Sequence, residues 1–416
     1  MKSIETANMH VFVKKLVSTL GYGATTNIRD TLKHGSLKTR ANTNDNATLT
    51  VPPATIVIEG IATGVPESMK KQNDTAEVVI SLLNSPPEQQ ERIRRLYAKT
   101  RIDKRHMAVD PLSPAFDRRM AIRKRMDLFL EHAVPLAVEV SLRALASARV
   151  GNHAEDIGLL VLVTSTGFVA PGVDVAVAQG LGLSPSVARV VVNFMGCAAA
   201  MNGLRAAADY VRSHPGSKKK ALVCCVELSS VNAVFADNIN DFIISSLFAD
   251  GCAAMVVGPL GEELKPGQVI IRDHFNCLVD GTHDGITLGI NDTGITCELS
   301  PKLPSYIYGG LAPVIDKALD SNEMAKSDVQ LWAIHPGGPK IIEESVRGLG
   351  LDSAVAATSW DVLSEFGNML SASLPFVLER MVGKARLGRK NSTGLAFSFA
   401  PGVTVEGLLF EVVCSG

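Results

Sequence analysis

Runs of apolar, largely β-branched residues alternate with segments of helical periodicity along most of this chain. Continuous apolar runs bounded by turn residues are typical of strands that helices cover on both faces. The predicted strands of the first part are ATIVIEGIATG, DIGLLVLVTSTG, ARVVVNF, KALVCCVEL and AAMVVG, and those of the last part are VQLWAIHP, GLAFSFA and TVEGLLFEVV. The pattern therefore predicts an α/β protein with a buried sheet.

Helices are predicted between these strands. The longest candidate runs from Arg118 to Val150, and we expect Pro135 to interrupt it, because proline lacks the N–H that an interior helical turn requires. A second candidate, rich in small residues, runs from Ala198 to Ser213. The turn PGGP is followed by a third, KIIEESVRGL.

A weak internal echo suggests that the fold is duplicated. FMGCAAAMNGLR (Phe194–Arg205) and FGNMLSASLP (Phe366–Pro375) each contain an aromatic residue and a glycine, then a polar or reactive residue, then a helix of small residues. In a duplicated α/β unit, Cys197 and Asn368 would occupy equivalent helix N-termini. Patterns of glycine and small residues are common, so chance similarity is the alternative interpretation.

The composition of the chain predicts three segments. Residues 1–50 are rich in Thr, Asn and Lys, poor in acids, and carry an amphipathic patch at Val11–Leu20. This is typical of an organelle transit peptide, and a variable extension that docks on the body is the alternative. We expect two α/β halves to follow, at residues 51–265 and 266–416.

The length, charge balance and cysteine spacing of the chain argue against several classes of protein. With 416 residues, 46% of them hydrophobic, the chain can bury a large core. Forty-one basic and 42 acidic residues give no field that would favour nucleic acid or a membrane as the main partner. Seven cysteines without C-x-x-C spacing indicate neither a disulfide framework nor a metal site. No apolar run reaches the roughly 18 residues of a membrane span, so we expect a cytoplasmic protein, or a plastid protein if residues 1–50 are a transit peptide.

Cys197 is the candidate nucleophile. It follows an apolar strand and Gly196 and opens a helix of small residues, where backbone N–H groups and the helix dipole are expected to favour its thiolate. A buried structural cysteine is the alternative interpretation. The small neighbours favour a functional thiol, because they leave room for a substrate.

His335 and Asn368 are the candidate partners of that thiol. His335 ends the strand LWAI and is followed by PGGP, so we expect it to face a cleft, where a cysteine nucleophile needs a base or a cationic partner. Asn368 opens a small apolar helix, and its amide suits an oxyanion hole. Solvated or core histidines and simple N-capping are the ordinary alternatives.

Two further features are ambiguous from local sequence alone. Phe248 precedes a D-G turn, and its local sequence favours a core aromatic residue. Arg92, Arg95 and Lys99 form a basic face about one helical turn apart, which is either plain solvated surface or a site for the phosphates of coenzyme A.

Taken together, these motifs resemble the type III polyketide synthases, the chalcone synthase-like branch of the thiolase superfamily, from about Val51 to Val413. The family's motifs for nucleophile, gatekeeper phenylalanine, histidine and asparagine match Cys197, Phe248, His335 and Asn368. The C-terminal loop appears as SFAPGVTVE, which retains Phe399, Pro401, Gly402 and Glu406 and has Ala400 in place of a glycine. The basic face lies where the family holds coenzyme A.

The resemblance implies a thiolase-like duplicated αβαβα five-layered fold and a homodimer. Ala170 matches a position through which the dimer partner reaches the neighbouring active site. The cavity departs from the plant enzymes, because the second gatekeeper aromatic falls at Leu288 and a small hydroxyl residue falls at Leu370. The remaining cavity positions are Thr166, Ser229 and Asn232. The departures favour a non-plant enzyme of algal or microbial type.

The resemblance also implies the chemistry. Malonyl-CoA would be condensed iteratively onto a malonyl, acetyl or fatty acyl starter and cyclised to phloroglucinol, alkylpyrone or alkylresorcinol products. Coenzyme A thioesters would be the substrates, with no other cofactor and no metal. The alternatives are a ketoacyl-carrier-protein synthase that condenses once, against which HPGGP and the APGVTVE loop argue, and a non-catalytic acyl-binding protein, which has no need of the Cys, His and Asn set.

Overall fold

The computed structural model describes residues 55–148, 154–233, 239–292 and 294–415. These residues belong to one compact unit, Pro53–Gly416. The predictions for residues 1–50, including the amphipathic patch at Val11–Leu20, lie outside the described residues.

The strands alternate with helices, as the sequence pattern predicts. The strands are β1 (Ile56–Gly64), β2 (Met69–Lys71), β3 (Lys104–His106), β4 (Ile157–Thr164), β5 (Ala188–Asn193), β6 (Lys220–Leu228), β7 (Asp250–Pro259), β8 (Val269–Leu278), β9 (Ile286–Asn291), β10 (Gly294–Leu299), β11 (Leu331–Ile334), β12 (Ser392–Ala400) and β13 (Thr404–Val412). The helices are α1 (Gln72–Leu82), α2 (Pro87–Lys99), α3 (Ile122–Ser147), α4 (Val173–Gly180), α5 (Ala199–Arg212), α6 (Ile239–Leu247), α7 (Leu303–Asp320), α8 (Pro339–Leu349), α9 (Ala357–Phe366) and α10 (Ser373–Ala385).

Nine strands form one sheet in the order β11-β12-β13-β8-β1-β7-β6-β4-β5. In the first half, β4 pairs parallel with β5 and β6, and β7 pairs antiparallel with β6 and β1. In the second half, β11 pairs parallel with β12, and β13 pairs antiparallel with β12 and β8. The order β4-β6-β7-β1 is thus repeated as β11-β12-β13-β8, and β1 meets β8 antiparallel at the centre. This repetition shows the duplication that the sequence echo suggested.

Three of the hydrophobic cores in the described residues separate the layers of the molecule. Helices α5 and α10 share a central core with inward residues of both half-sheets, such as Val161 and Leu408. Helix α3 covers the outer face of the first half-sheet, against residues such as Leu160. Helices α7 and α8 cover the outer face of the second half, against residues such as Leu409. Helix, sheet, helix, sheet and helix therefore follow one another, which is the five-layered arrangement.

The prediction that Pro135 interrupts the long helix is wrong. Helix α3 runs without a break through Pro135. A proline inside a helix costs about 3 kcal/mol, and the buried face of the helix, which includes Phe129, Ala133, Ala137 and Val140, packs over the sheet on both sides of it. This tertiary packing outweighs the lost hydrogen bond.

The two echoing segments lie at equivalent places in the fold. Each runs through a short 3-10 turn, Gly196–Ala198 or Leu370–Ala372, into a central helix, α5 or α10, that leads to the equivalent strands β6 and β12. Cys197 lies within its turn, whereas Asn368 lies two residues before its own. The equivalence therefore holds for the elements and not residue by residue.

Candidate active site

Cys197 lies where the chain leaves strand β5 and enters helix α5. The N–H of the preceding Gly196 donates to Ser165 Oγ at 3.1 Å, which ties the turn to the end of β4. The residue remains partly accessible. Its protein surroundings raise the pKa of the Cys197 thiol above the ordinary value, first by burial and then through the neighbouring Cys297, while the hydrogen bond from Asn368 acts in the opposite direction.

His335 follows β11 and is almost completely buried, with 2% of its surface exposed. Its backbone N–H donates to Phe397 O at 3.1 Å, so the parallel ladder to β12 continues to this residue. Neither ring nitrogen makes a hydrogen bond with any described residue. Burial lowers the pKa of His335 to about 3, because no partner compensates the charge of an imidazolium.

Asn368 is the residue that the structure places next to the sulfur. Its Oδ1 accepts a hydrogen bond from Leu370 N–H at 2.9 Å, which fixes the orientation of the amide. Its Nδ2 then lies 4.0 Å from Cys197 Sγ and 3.1 Å from Gly337 O. The amide thus caps its own turn with the oxygen and directs its donors into the site.

Gly337 lies between the imidazole of His335 and the amide of Asn368. Gly337 accepts the Asn368 amide, and a Cβ atom at Gly337 would lie 2.9 Å from His335 Cδ2 and 3.0 Å from Nε2. Glycine is required here, because a side chain would displace the imidazole. The structure thus places Asn368 against Cys197, and Gly337 links Asn368 to His335.

Burial opposes the thiolate that the sequence predicts at Cys197. The sequence suggested that the helix dipole would favour a charged Cys197, yet burial raises the pKa of this thiol and lowers the pKa of His335. Both shifts favour the neutral forms, because each charge alone loses its hydration in this site. An ion pair can form here only when the proton passes from one group to the other.

A cavity of about 710 Å³ adjoins this group. Ser165, which holds Gly196, and Leu370, which holds the Asn368 amide, are both part of its wall. The cavity residues that the resemblance implied and that line it are Phe248, Leu288, Thr166, Ser229, Asn232 and Leu370. The site therefore opens into a space large enough for a drug-sized ligand.

Two of the expected cavity residues lie elsewhere. Ala170 is exposed and does not line the cavity of its own chain. The ring of Pro401 packs against Gly196, with its Cδ 3.1 Å from the position of a Cβ there, and it too lies outside the lining. Pro401 thus supports the turn of the nucleophile.

The hairpin of β9 and β10 forms one wall of the cavity, and the sequence analysis missed it. Leu288 on β9 pairs with Cys297 on β10, and both line the cavity. Asn232 holds the hairpin in place, since its Nδ2 donates to Thr166 O at 2.8 Å and its Oδ1 accepts from Ile295 N at 3.4 Å. The alternation I-T-L-G-I, turn, G-I-T-C-E-L was the available signal for this element.

Glu227 is a fully buried carboxyl behind the cavity wall. It accepts hydrogen bonds from Ser165 N at 2.9 Å, Thr166 Oγ1 at 2.8 Å and Ser371 Oγ at 2.5 Å. Burial raises the pKa of Glu227 to about 7, although these hydrogen bonds act in the opposite direction. The carboxyl therefore links the segment after β4, which binds Gly196, with the segment after Asn368.

The basic face of helix α2 has the predicted geometry. Ile93 and Tyr97 point into the protein, while Arg92, Arg95 and Lys99 are exposed together on the opposite side. Their spacing of three and four residues keeps them on one face of the helix.

Metal-binding groups and membrane-spanning helices are both absent from the described residues. In the described ranges, no group of three or more His, Cys, Asp or Glu side chains is arranged to hold a metal ion. None of the helices in these ranges is both long and apolar enough to cross a membrane.

Comparison with known families identifies both halves. Residues 42–260 match the family described as chalcone and stilbene synthases, N-terminal domain, and residues 272–414 match the corresponding C-terminal domain. The alpha-pyrone synthesis polyketide synthase-like Pks18 of Mycobacterium tuberculosis is 60% identical over 87% of this chain and 93% of its own length. The 3,5-dihydroxyphenylacetyl-CoA synthase of Amycolatopsis balhimycina is 29% identical over 85% of this chain and 92% of its own.

Solved structures agree with this assignment. PKS-I from the brown alga Ectocarpus siliculosus superposes with a TM-score of 0.81 at 42% identity, covering 87% of this chain and 99% of that one. The C-terminal type III polyketide synthase domain of Steely1 from Dictyostelium gives a TM-score of 0.79 at 27% identity, covering 86% and 99%. The chain therefore belongs to the chalcone and stilbene synthase family and is a type III polyketide synthase with the thiolase-like fold.

Proposed function

We propose that this enzyme loads an acyl-CoA starter on Cys197, extends it iteratively with malonyl-CoA, and releases the chain as an α-pyrone. The observation that carries the proposal is the Asn368 amide, held 4.0 Å from Cys197 Sγ by Leu370, which itself lines a large cavity. The cavity has room for the growing chain.

Loading begins with two neutral groups. The Cys197 proton passes to a ring nitrogen of His335 as the sulfur attacks the starter thioester. The new bond joins Sγ to the acyl carbon, the bond from that carbon to the sulfur of coenzyme A breaks, and the leaving thiolate takes the proton. His335 has no competing hydrogen bond among the described residues, so its ring nitrogens are available for this transfer.

Extension begins with the decarboxylation of malonyl-CoA. The Asn368 amide and an N–H of neutral His335 donate to the thioester oxygen while the bond to the carboxylate carbon breaks and carbon dioxide leaves. Fixed donors in a water-poor site stabilise the resulting enolate by several kcal/mol. Its carbon attacks the acyl group on Cys197, a carbon–carbon bond forms, and the thiolate is released and protonated.

The proposed starter is an acyl chain, and the proposed product is a pyrone. The cavity wall contains apolar side chains at Leu288, Ile295, Leu299 and Leu370, which suit an alkyl group. The mycobacterial relative named for alpha-pyrone synthesis is 60% identical to this chain. Ring closure would then be a lactonisation: an enol oxygen attacks the thioester carbonyl, a C–O bond forms, and the C–S bond breaks.

We further propose that the basic face of α2 binds the phosphates of coenzyme A and that the active form is a homodimer. Three exposed cations on one face can bind a polyanion without losing buried contacts.

Strand β5 is the edge of the sheet, and its Val190 and Val191 are 40% and 48% exposed, with Phe168 nearby at 60%. An apolar edge of this kind is usually covered by a partner. Coenzyme A thioesters are the substrates, and no other cofactor is proposed.

The compartment is also a proposal. The seven cysteines all lie in the described ranges, and none of them forms a disulfide there. Thiols kept in this state fit a reducing compartment, which is the cytoplasm or, if residues 1–50 act as a transit peptide, the plastid stroma.

Product analysis tests the proposal. Pure enzyme would be incubated with malonyl-CoA alone and then with added acyl-CoA starters of increasing length, and the products identified by mass spectrometry. We expect pyrones whose masses increase with the length of the starter. Phloroglucinol from malonyl-CoA alone would replace the proposed starter and ring closure, and a single β-ketoacyl product that requires a carrier protein would contradict the iterative reaction.

A further inference from the structure

Arg105 is one of the largest completely buried side chains in the described part of the molecule, with 1% of its surface exposed. No carboxylate of a described residue forms an ion pair with it. Burial lowers the pKa of this guanidinium. A buried charge without a direct ionic partner is costly to stability, so its contacts with the active site need an explanation.

The guanidinium binds backbone carbonyls at the C-terminal end of helix α6. Nη1 donates to Ser245 O at 2.6 Å and to Phe248 O at 2.8 Å. Nε donates to the side chain of Gln72 at 2.9 Å, and the amide of Gln72 donates to Ser246 O at 2.7 Å. The last carbonyls of a helix have no partner within the helix and carry its negative dipole end, so a cation is the appropriate cap.

The same helix end carries the active-site amide. Leu247 O accepts the N–H of Asn368 at 2.8 Å, and the N–H of Ala249 donates to Asn368 O at 2.9 Å, so Phe248 and Asn368 form a short β-bridge. The gate residue and the oxyanion amide are therefore one unit of backbone. Arg105 holds this unit through the carbonyl of Phe248.

Arg105 also contacts the bridge from the other side. A Cβ atom at Gly367 would lie 2.9 Å from Arg105 Cγ and 3.0 Å from its Cδ, and Gly367 has a φ of 73°. The stem of Arg105 thus fills the space that a side chain before Asn368 would occupy. Movement of the guanidinium would release both the Phe248 carbonyl and the segment that aims the Asn368 amide.

We propose that Arg105 is a positioning residue for the condensation reaction, which sets the direction of the Asn368 amide and the width of the Phe248 gate. The inference rests on the proposed role of Asn368 and extends it. Arg105 touches the cavity wall but acts through the bridge, so its effect is expected on turnover and on acceptance of starters by length.

The test uses Arg105→Met, which keeps the stem and removes the donors, and Arg105→Lys, which keeps the charge and loses the fork. We expect kcat for malonyl-CoA decarboxylation to fall roughly tenfold to a hundredfold in Arg105→Met, with KM little changed, because small displacements of a catalytic group have effects of this size. Arg105→Lys should recover part of the loss. Arg272→Met is the control, since this exposed arginine pairs with Glu411 away from the site.

A double-mutant cycle separates positioning from general destabilisation. If Arg105 acts through the amide, Arg105→Met combined with Asn368→Ala will decarboxylate no more slowly than Asn368→Ala alone. Losses that multiply, or a kcat of Arg105→Met equal to wild type per titrated active site, would overturn the inference. A wild-type enzyme that neither decarboxylates malonyl-CoA nor extends a starter would instead overturn the proposed function, and with it the role of Asn368 on which this inference rests.

If Arg105→Met does not fold, Gln72→Met tests the same cap from its outer side. Gln72 binds both the Arg105 Nε and the Ser246 carbonyl. The inference expects a smaller fall in kcat from this variant, again absent in the Asn368→Ala background. An unchanged kcat in folded Gln72→Met, or a fall that is equally large in the Asn368→Ala background, would count against it.

Discussion

The two ends of the Asn368 side chain have different roles in this site. The oxygen is bound by the N–H of Leu370, and the nitrogen faces Cys197 Sγ and Gly337 O. Aspartate could still cap the turn in this position, but it would present an acceptor to the enolate oxygen in place of a donor. The proposed chemistry therefore requires the amide, while the turn alone requires only its oxygen.

Removal of the nucleophile should separate two activities. We expect Cys197→Ala to lose polyketide formation and to retain malonyl-CoA decarboxylation, because Asn368 and His335 supply the donors for that step and remain in place. Release of carbon dioxide and formation of product are measured in parallel on the same samples. Full condensation by this variant would remove Cys197 from the mechanism.

Glu227 should give the enzyme a pH-dependent stability. Burial raises its pKa to about 7 from an ordinary value of 4.5, so the folded protein keeps a proton that the unfolded chain loses between these values. The stabilising contribution is therefore complete below pH 4.5 and is lost as the pH rises through about 7.

The matching variant is Glu227→Gln, which cannot titrate. Its Tm minus that of wild type should increase as the pH is raised from about 5 to about 8, because only wild type loses stability over this window. Thermal unfolding at several pH values measures the difference. A difference that stays constant with pH would show that Glu227 keeps an ordinary pKa in the folded protein.

Among the elements, helix α2 connects the surface to the site. Its outer face carries Arg92, Arg95 and Lys99, and its inner face carries Tyr97, which contacts Ser245 at 3.3 Å on helix α6. The helix is thus both the proposed phosphate site and a support of the gate.

Replacing the three cations of α2 by alanine should raise KM for coenzyme A esters. An increase of about tenfold is expected, since exposed charge contacts contribute roughly 0.5 kcal/mol each, and kcat should change little. Arg94→Ala is the control on the same helix, because Arg94 pairs with Glu77. Equal KM values for the triple variant and wild type would return these residues to plain surface.

How far the sequence predicts an element depends on how strongly packing and local pattern agree. The apolar strands and the turns around Cys197, His335 and Asn368 combine both signals, and the structure brings these three residues together. The hairpin of β9 and β10 was missed because its half-buried strands carry many polar and glycine residues. Pro135 misled the helix prediction because its local cost is offset by long-range packing that no local pattern reveals.

The role of Arg105 could not be read from the sequence for a similar reason. In ERIRRLYAKTRIDKR it is one cation among many, and charge runs are usually solvated. Only the fold shows that this arginine is buried and binds Phe248 O. Contacts between residues that are far apart in sequence decide such cases.

At the scale of the whole molecule, the sheet has one apolar edge that is suited to association. Strand β5 ends the nine-stranded sheet, and its outer residues Val190 and Val191 are exposed. Ala170 is also exposed and lies near the start of helix α4. An interface that covers this edge would bring a second chain close to the segment that contains Ala170.

Val191→Lys should therefore convert the proposed dimer into monomer. A charge on an edge strand opposes pairing with a second chain, and Leu387→Lys is the control, because Leu387 is 75% exposed beyond the end of helix α10. Light scattering after size-exclusion chromatography gives the mass of each variant. A wild-type monomer, or a Val191→Lys dimer as stable as wild type, would contradict this placement of the interface.

The most direct test of the mechanism is the mass of the enzyme after it is mixed with an acyl-CoA starter in the absence of malonyl-CoA. We predict an increase equal to one acyl group, located by peptide mapping on Cys197 and absent in Cys197→Ala. Cys297 provides an internal comparison, because this second thiol lines the cavity that adjoins the site of Cys197. An acyl group found on Cys297, or retained in full by Cys197→Ala, would contradict the account.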